Sequence, residues 1–174
     1  TWTNSSGDFS WKNPANWSDS LLPGENDTVV FDGEYPYSCI LDTSVTVGGY
    51  VAFSNFRQTF DFNGNTLRIK TIADFRGDST VHANGGLLEF IGTTTQLFYP
   101  DSGDTFPAIR QNGIGGTVIQ KYSLTSEGDL EIFSGSMDLG AGALKHVVRS
   151  IKGTGGNIAF NNSTVAVVGD TADF

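Results

Sequence analysis

The chain has 174 residues, the size of one domain, with 22 glycines and 13 phenylalanines against a single methionine. Together with many Thr, Val and Asn residues, this composition favours strands and tight turns and predicts one all-β domain over residues 1–174. A formal net charge of -9 repels phosphate backbones, so nucleic acid is not an expected partner, and no apolar run approaches the ~20 residues that span a bilayer.

The opening segment, residues 1–33, holds all three tryptophans of the chain among Asn, Ser, Asp and Pro residues. Proline-containing turn signals in this segment exclude a continuous helix, because proline fixes φ and restricts the residue before it. We predict that the segment caps one end of the fold. Trp11 and Trp17 are expected to be structural and to pack over the core near Val29 and Phe31.

Residues 38–174 consist of short apolar strands that alternate with Gly, Asn and Asp turns. Runs such as Thr59–Phe62 and Thr66–Ile69 have period two, which puts one face into a core and the other into water. Cys39 is the only cysteine, so an internal disulfide is excluded, and we expect it to be a small core residue.

Glycine-led strands suggest an internal repeat with Leu67, Leu88, Leu130 and Ile158 at its centre. Steps of 21, 42 and 28 residues fit coils of about 21 residues with one looped-out insertion, which predicts a parallel β-helix, or β-solenoid. A β-sandwich or jelly roll is the alternative, since alternating strands and turns look alike in both. The predicted inward-facing residues are Leu67, Ile69, Leu88, Phe90, Leu130, Ile132, Ile158 and Phe160.

The first 90 residues carry a resemblance to a known group of proteins. It rests on Trp11, Asn16-Trp17, Leu22-Pro23-Gly24 and Asn26–Phe31 with the Val/Phe strands that follow. This run resembles the start of bacterial secreted β-helix repeat proteins, including autotransporter-like surface proteins. The resemblance implies a right-handed β-helix and an extracellular or cell-surface location, while the fold itself leaves function open.

Few residues point to chemistry. His82 and His146 have no nucleophile motif beside them, so we expect solvated or stacked histidines and no enzymatic activity. Asp101 and Asp104 are the candidate Ca²⁺ ligands, although two carboxylates fall short of the six or more ligands that calcium prefers, and no other cofactor is expected. Arg76-Gly77-Asp78 could present an adhesion motif, but a simple turn is the preferred interpretation.

Aromatic side chains are the candidates for glycan binding, because sugar-binding modules stack pyranose faces on tryptophan and tyrosine. Structural packing is the competing role for the three tryptophans. The candidates are Trp2, Trp11, Trp17, Tyr35 and Tyr37.

The apolar run near the end of the sequence indicates self-association, since an uncapped solenoid edge can pair with another chain. Val165, Val167, Val168 and Phe174 are the predicted assembly residues. We therefore expect an extracellular, non-catalytic structural subunit that assembles end to end or by strand exchange into a filament or matrix. A carbohydrate-binding module of a larger secreted protein is the alternative, and a catalytic β-helix acting on polysaccharide is a third hypothesis.

Overall fold

The computed structural model describes residues 1–77 and 80–169, which form a parallel β-solenoid with one 3-10 turn at Pro14–Asn16. Every pairing between the named strands is parallel, which confirms the predicted all-β solenoid and argues against the sandwich alternative, whose sheets are antiparallel. The strands are β1 (Thr28–Phe31), β2 (Cys39–Ile40), β3 (Val45–Ala52), β4 (Thr59–Asp61), β5 (Thr66–Asp74), β6 (Thr80–His82), β7 (Leu87–Phe90), β8 (Thr95–Tyr99), β9 (Thr105–Phe106), β10 (Ala108–Gln111), β11 (Thr117–Gln120), β12 (Thr125–Ser126), β13 (Leu130–Ile132), β14 (Ser136–Asp138), β15 (Lys145–Val148), β16 (Ile151–Gly153), β17 (Asn157–Ala159) and β18 (Thr164–Val167).

Each coil of the solenoid has three faces. Face 1 is built from the first halves of β3 and β5, followed by β7, β10, β13 and β16. Face 2 contains β1, the second halves of β3 and β5, then β8, β11, β14 and β17. Face 3 contains β2, β4, β6, β9, β12, β15 and β18. Because β3 and β5 turn the corner as single strands, with a register shift between Val47 and Gly49, faces 1 and 2 form one continuous sheet.

The register on face 1 repeats every 21 residues and corrects the alignment made from glycine-led strands. Leu67, Leu88, Ile109, Leu130 and Ile151 occupy equivalent positions on successive coils. The 42-residue step is therefore two coils without an insertion. Its middle member, Ile109, lies in β10, which begins at Ala108 directly after Pro107, so a leading glycine does not mark this strand.

The assignment of Ile158 to the same column was wrong. Ile158 pairs with Met137 on face 2, where Gly156 leads into a different strand of the coil. A glycine before a strand marks a corner of the solenoid, and several corners carry one. Glycine alone therefore does not distinguish one face from another.

The core runs along the inside of the solenoid and contains most of the predicted inward-facing residues. Leu67, Leu88 and Leu130, with the aliphatic or aromatic residue two positions after each, are buried as predicted. Ile158 is only partly buried, and Phe160 is 43% exposed, so its predicted burial was wrong. Phe160 belongs to the last described coil, which no further coil covers within residues 1–169.

Aromatic rings fill the first coils. Tyr50 stacks on Phe75 with centroids 4.2 Å apart, and Phe31 packs against Phe60 at 5.7 Å. The rings continue to Phe106, which lies 5.1 Å from Phe75. Such ring pairs contribute stability beyond their buried area, so ring contacts stabilise the early coils in addition to strand pairing.

Buried glutamines hold the corner between faces 1 and 2. The side chain of Gln96 accepts from the Gly92 N–H at 2.9 Å, and Gln111 Nε2 donates to the Gly116 carbonyl at 3.0 Å. The coils approach so closely here that a Cβ on Gly113 would lie 2.0 Å from the Gly92 carbonyl oxygen. Glycine at position 113 is therefore a steric requirement of coil stacking.

The tryptophan-rich segment closes the first end of the solenoid, as predicted. Trp2 N–H donates to the Val30 carbonyl of β1 at 3.0 Å, and Ser10 forms a parallel bridge with Ile40 of β2. Trp11 and Trp17 are buried, with centroids 6.4 and 6.3 Å from that of Phe31. The segment thus shields the edges of β1 and β2 and fills the space above the first coil.

Candidate functional site

The last described coil lies at the end of the solenoid opposite the cap, and we call this coil the open end. Within residues 1–77 and 80–169, β16, β17 and β18 are each the last strand in their row, paired on one side with β13, β14 and β15. Among the described strands, none pairs with the outer N–H and C=O groups of these three. Such edges are templates for pairing with another chain unless they are covered.

The open end is also apolar. Val165 is partly buried and packs against the core, opposite His146 of the preceding coil. Val167 and Val168 are 54% and 64% exposed. Three of the four predicted assembly residues therefore lie on the end coil, and the fourth, Phe174, falls outside the described residues.

The two ends differ in charge. Residues 1–34, which contain the cap, carry six acidic side chains and one lysine. Residues 139–169 carry three basic side chains and no acidic one, and the aspartates that follow, at positions 170 and 173, lie beyond the described part of the chain. Asp129, which pairs with Arg149 and Lys152, and Asp138 offset part of this positive charge, so the last described coils are weakly basic whereas the cap is acidic.

The cap also presents apolar side chains to solvent. Phe9, Leu21 and Leu22 are exposed, with Leu21 at 66%. Leu21 borders a surface groove of about 180 Å³ together with Thr1 and Trp17. Exposed leucines beside carboxylates give this end the same combination of apolar and charged groups as the open end, with the opposite sign.

A ladder of alternating charge follows the outside of face 1 and was missed from the sequence. Arg68, Glu89, Arg110, Glu131 and Lys152 occur every 21 residues and lie in register on successive coils. Arg68 Nε donates to Glu89 Oε2 at 2.9 Å, and Arg110 Nε donates to Glu131 Oε2 at 2.6 Å. The alternation of sign at a fixed spacing was the signal that could have revealed it.

Lys152, the last member of the ladder, pairs with Asp129 instead of Glu131. Lys152 Nζ donates to Asp129 Oδ2 at 2.5 Å, and Arg149 binds the same carboxylate through two nitrogens. The Arg149 hydrogen bonds hold the pKa of Asp129 well below its usual range. Asp129 therefore stays ionised and anchors the two basic side chains nearest to the open end.

The tryptophans proposed for glycan stacking lie inside the protein. Trp2, Trp11 and Trp17 are all buried, and the indole of Trp17 donates to the Trp11 carbonyl at 2.9 Å. Their faces are thus occupied by the core. Tyr37 is exposed and Tyr35 half-buried, which places only the tyrosines of this candidate set at the surface.

The calcium candidates are not brought together with further ligands. Asp104 is buried, and burial raises its pKa to about 6. Asp101 lies close enough to raise the pKa of Asp104 further, while the charge of His82 lowers it. Within residues 1–77 and 80–169, no cluster of three or more His, Cys, Asp or Glu side chains could hold a metal ion.

The remaining titratable candidates are His82, His146 and Cys39, and two of them, His146 and Cys39, lie in the protein interior. His146 is buried, which lowers its pKa, and its Nε2 lies 3.0 Å from the Leu139 carbonyl while Nδ1 lies 3.0 Å from Gln120 Nε2. These contacts define a neutral, internal histidine instead of a solvated one, whereas His82 is exposed. Cys39 is buried as expected, and burial raises the pKa of its thiol.

The Arg76-Gly77-Asp78 motif is only partly described, because Asp78 lies outside the described residues. Arg76 donates through Nε and Nη2 to the Asp74 carboxylate, at 2.8 and 2.5 Å. Its guanidinium is therefore already engaged with a neighbouring carboxylate.

Comparison with known proteins gives no relative for this chain. No family model matches it, and neither a curated protein nor a solved structure does. The described residues include no helix long and apolar enough to cross a membrane.

Proposed function

We propose that the chain is an extracellular, non-catalytic structural subunit that assembles with copies of itself through the ends of the solenoid. The observation that carries the proposal is the difference between the two ends. One end is closed by the acidic tryptophan-rich cap, and the other is an open, apolar coil flanked by basic side chains.

The open end of one copy and the cap of the next are complementary in exposed apolar surface and in charge. Val167 and Val168 offer exposed apolar surface, and the cap offers Leu21 and Leu22. Burying such patches against each other removes apolar area from water, while the opposite charges steer the two ends together. The cap already shields the β1 and β2 edges, so we propose end-to-end docking in preference to exchange of a whole strand.

The two surfaces that meet in this contact are different, since the open end of one copy docks on the cap of the next. A head-to-tail contact of this kind does not satisfy itself within a pair of subunits, and it continues into a filament unless the rotation between copies closes a ring. The buried aromatic column inside the first coils stabilises the subunit, as a structural role requires. A filament of stacked solenoids is therefore the expected product.

The non-catalytic part of the proposal is supported by the surroundings of the reactive groups. His146 and Cys39 lie in the core, and Asp104 is buried with one carboxylate oxygen lacking a hydrogen-bond partner. The extracellular location is supported by the resemblance of the first 90 residues to secreted β-helix proteins.

Sedimentation of two matched variants tests the proposal. The parent is expected to form oligomers that grow with protein concentration. Val167→Asp places a charge in the contact and should sediment as a monomer, whereas Ile114→Asp, at an 81% exposed position between the two ends, should assemble as the parent does. A parent that stays monomeric at every concentration would refute self-assembly.

A further inference from the structure

A second surface, distinct from both ends, lies at the corner where face 2 leads to face 3. Val51, Asp74 and Tyr99 occupy the same outward position on successive coils. Phe53, on the coil of Val51, and Tyr122, on the coil after that of Tyr99, are 52% and 44% exposed. We call Phe53, Asp74, Arg76, Tyr99 and Tyr122 the corner strip.

Arg76 fixes the geometry of the corner strip. Its guanidinium lies 4.2 Å from the centroid of the Tyr99 ring and 5.8 Å from that of Tyr122, while the two rings are 6.2 Å apart. The hydrogen bonds to Asp74 raise the pKa of Arg76, so it is charged at any physiological pH. Because the cation is held by both a carboxylate and two aromatic faces, the strip is organised before any ligand arrives.

A groove of about 320 Å³ borders the corner strip, within the size range of small-molecule sites. Phe53, Asp74 and Arg76 are among its lining residues. Two Arg76 nitrogens donate to Asp74, and Tyr122 is a further hydrogen-bond partner of the guanidinium, which has five N–H groups and so retains donors beyond these two partners. The groove therefore joins exposed ring surface to hydrogen-bond donors.

We propose that the corner strip binds a neutral polysaccharide along the solenoid axis. The C–H face of a pyranose ring would pack on Tyr122 or Phe53, and ring hydroxyls would accept from Arg76. Coils rise by about 4.8 Å, so the strip from the coil of Phe53 to that of Tyr122 extends about 14 Å, which suits a chain of sugars more than a single one.

The charges of the surface select a neutral ligand. Asp74 offsets the positive charge of Arg76, and the chain as a whole carries -9. An acidic polysaccharide would meet a repulsive field without an uncompensated cation to hold it. This site goes beyond the proposed structural function and does not depend on self-assembly.

An NMR titration of the ¹⁵N-labelled Val167→Asp chain, used to keep the sample monomeric, tests the site. The probes are neutral cello-, xylo-, manno- and chito-oligosaccharides, with oligogalacturonate as the acidic comparison. At least one neutral probe should shift resonances of the corner strip. If Val167→Asp does not give a monomer, the same titration is run on the parent at low concentration, so failure of the assembly proposal leaves this test intact.

Variants locate the binding. Tyr122→Ala should weaken it about tenfold, as truncation of an aromatic anchor does, while Tyr122→Phe and the distant Ile114→Ala should keep it. Absence of binding by every neutral probe would overturn the proposal. So would tighter binding of oligogalacturonate, or unchanged affinity in a folded Tyr122→Ala protein.

Discussion

Arg68 and Glu89 stand at the same outward position on successive coils, and the Arg68 Nε–H donates to Glu89 Oε2 over 2.9 Å. Glu89 is buried and also accepts from Asn112 Nδ2 at 3.0 Å. It lies 3.7 Å from Arg110 on the other side, so one carboxylate links three coils. This arrangement makes Glu89 the central member of the charge ladder.

Glu89→Ala should lower the free energy of unfolding by about 2 kcal/mol, because it removes hydrogen bonds to a charged, buried acceptor. Both arginine partners are partly exposed, which keeps the loss below that of a fully buried pair. Urea unfolding followed by circular dichroism measures the change. Glu127→Ala, at an exposed position, is the control and should be nearly neutral; an equal loss in both variants would contradict the ladder.

Leu88→Ala should cost about 2–5 kcal/mol of unfolding free energy, because it leaves a cavity between Leu67 and Ile109 in the stacked column. The same denaturation experiment measures it. Ile114→Ala removes the same number of carbon atoms from a solvent-exposed side chain and should change stability by less than about 0.5 kcal/mol. A small effect at Leu88 would mean that the column is loosely packed.

Stability should fall as pH rises through the titration of Asp104. Its pKa is raised to about 6 in the folded protein from a usual value of 3.8, so the folded state holds the proton more tightly. The associated stability is present below about pH 4, decreases between pH 4 and 6, and is lost above pH 6. Asp104→Asn should remove this dependence.

At pH 7, Asp104→Asn should stabilise the fold by up to about 3 kcal/mol, the equivalent of the pKa shift. Thermal unfolding at several pH values measures both effects. Asp101→Asn lies in the same turn and serves as the comparison, with the pH dependence largely retained. A flat profile in the parent, or an equal effect of the two substitutions, would count against a buried Asp104 with a raised pKa.

Charge at the open end should affect assembly more than charge elsewhere. Lys145→Glu reverses an exposed lysine in the second-to-last coil of face 3 and should weaken association, most strongly at low salt. Lys121→Glu reverses another exposed lysine, which lies away from both ends, and should leave assembly as in the parent. Light scattering compares the two. Equal weakening would indicate a general charge effect instead of complementary ends.

The solenoid could be predicted because apolar core residues recur in the sequence at a fixed spacing. Leu67 and Leu88 are 21 residues apart in strands of period two, and this pair alone gives the coil length. The clustered tryptophans of the first segment likewise predicted a cap. Ile109 was missed because the search required a leading glycine, which marks corners and not faces.

The surface features were harder to predict because they depend on where each coil turns. Tyr99 and Tyr122 are 23 residues apart, a spacing that departs from the 21-residue repeat of face 1, and only the fold shows that their rings meet. The three tryptophans were wrong candidates for a glycan site, because a large aromatic side chain suits both a core and a binding platform. Burial decides between the two, and burial is a property of the assembled coils.

Mixing two end-blocked variants tests head-to-tail assembly most directly. Val167→Asp blocks the open end and leaves the cap intact, whereas Leu21→Asp blocks the cap and leaves the open end intact. In sedimentation velocity each variant alone should be a monomer, and an equal mixture should form a dimer and nothing larger, because only one pair of compatible ends remains. Dimers of Leu21→Asp alone would show that open ends pair with each other, and an equal mixture that stays monomeric would contradict the contact between open end and cap.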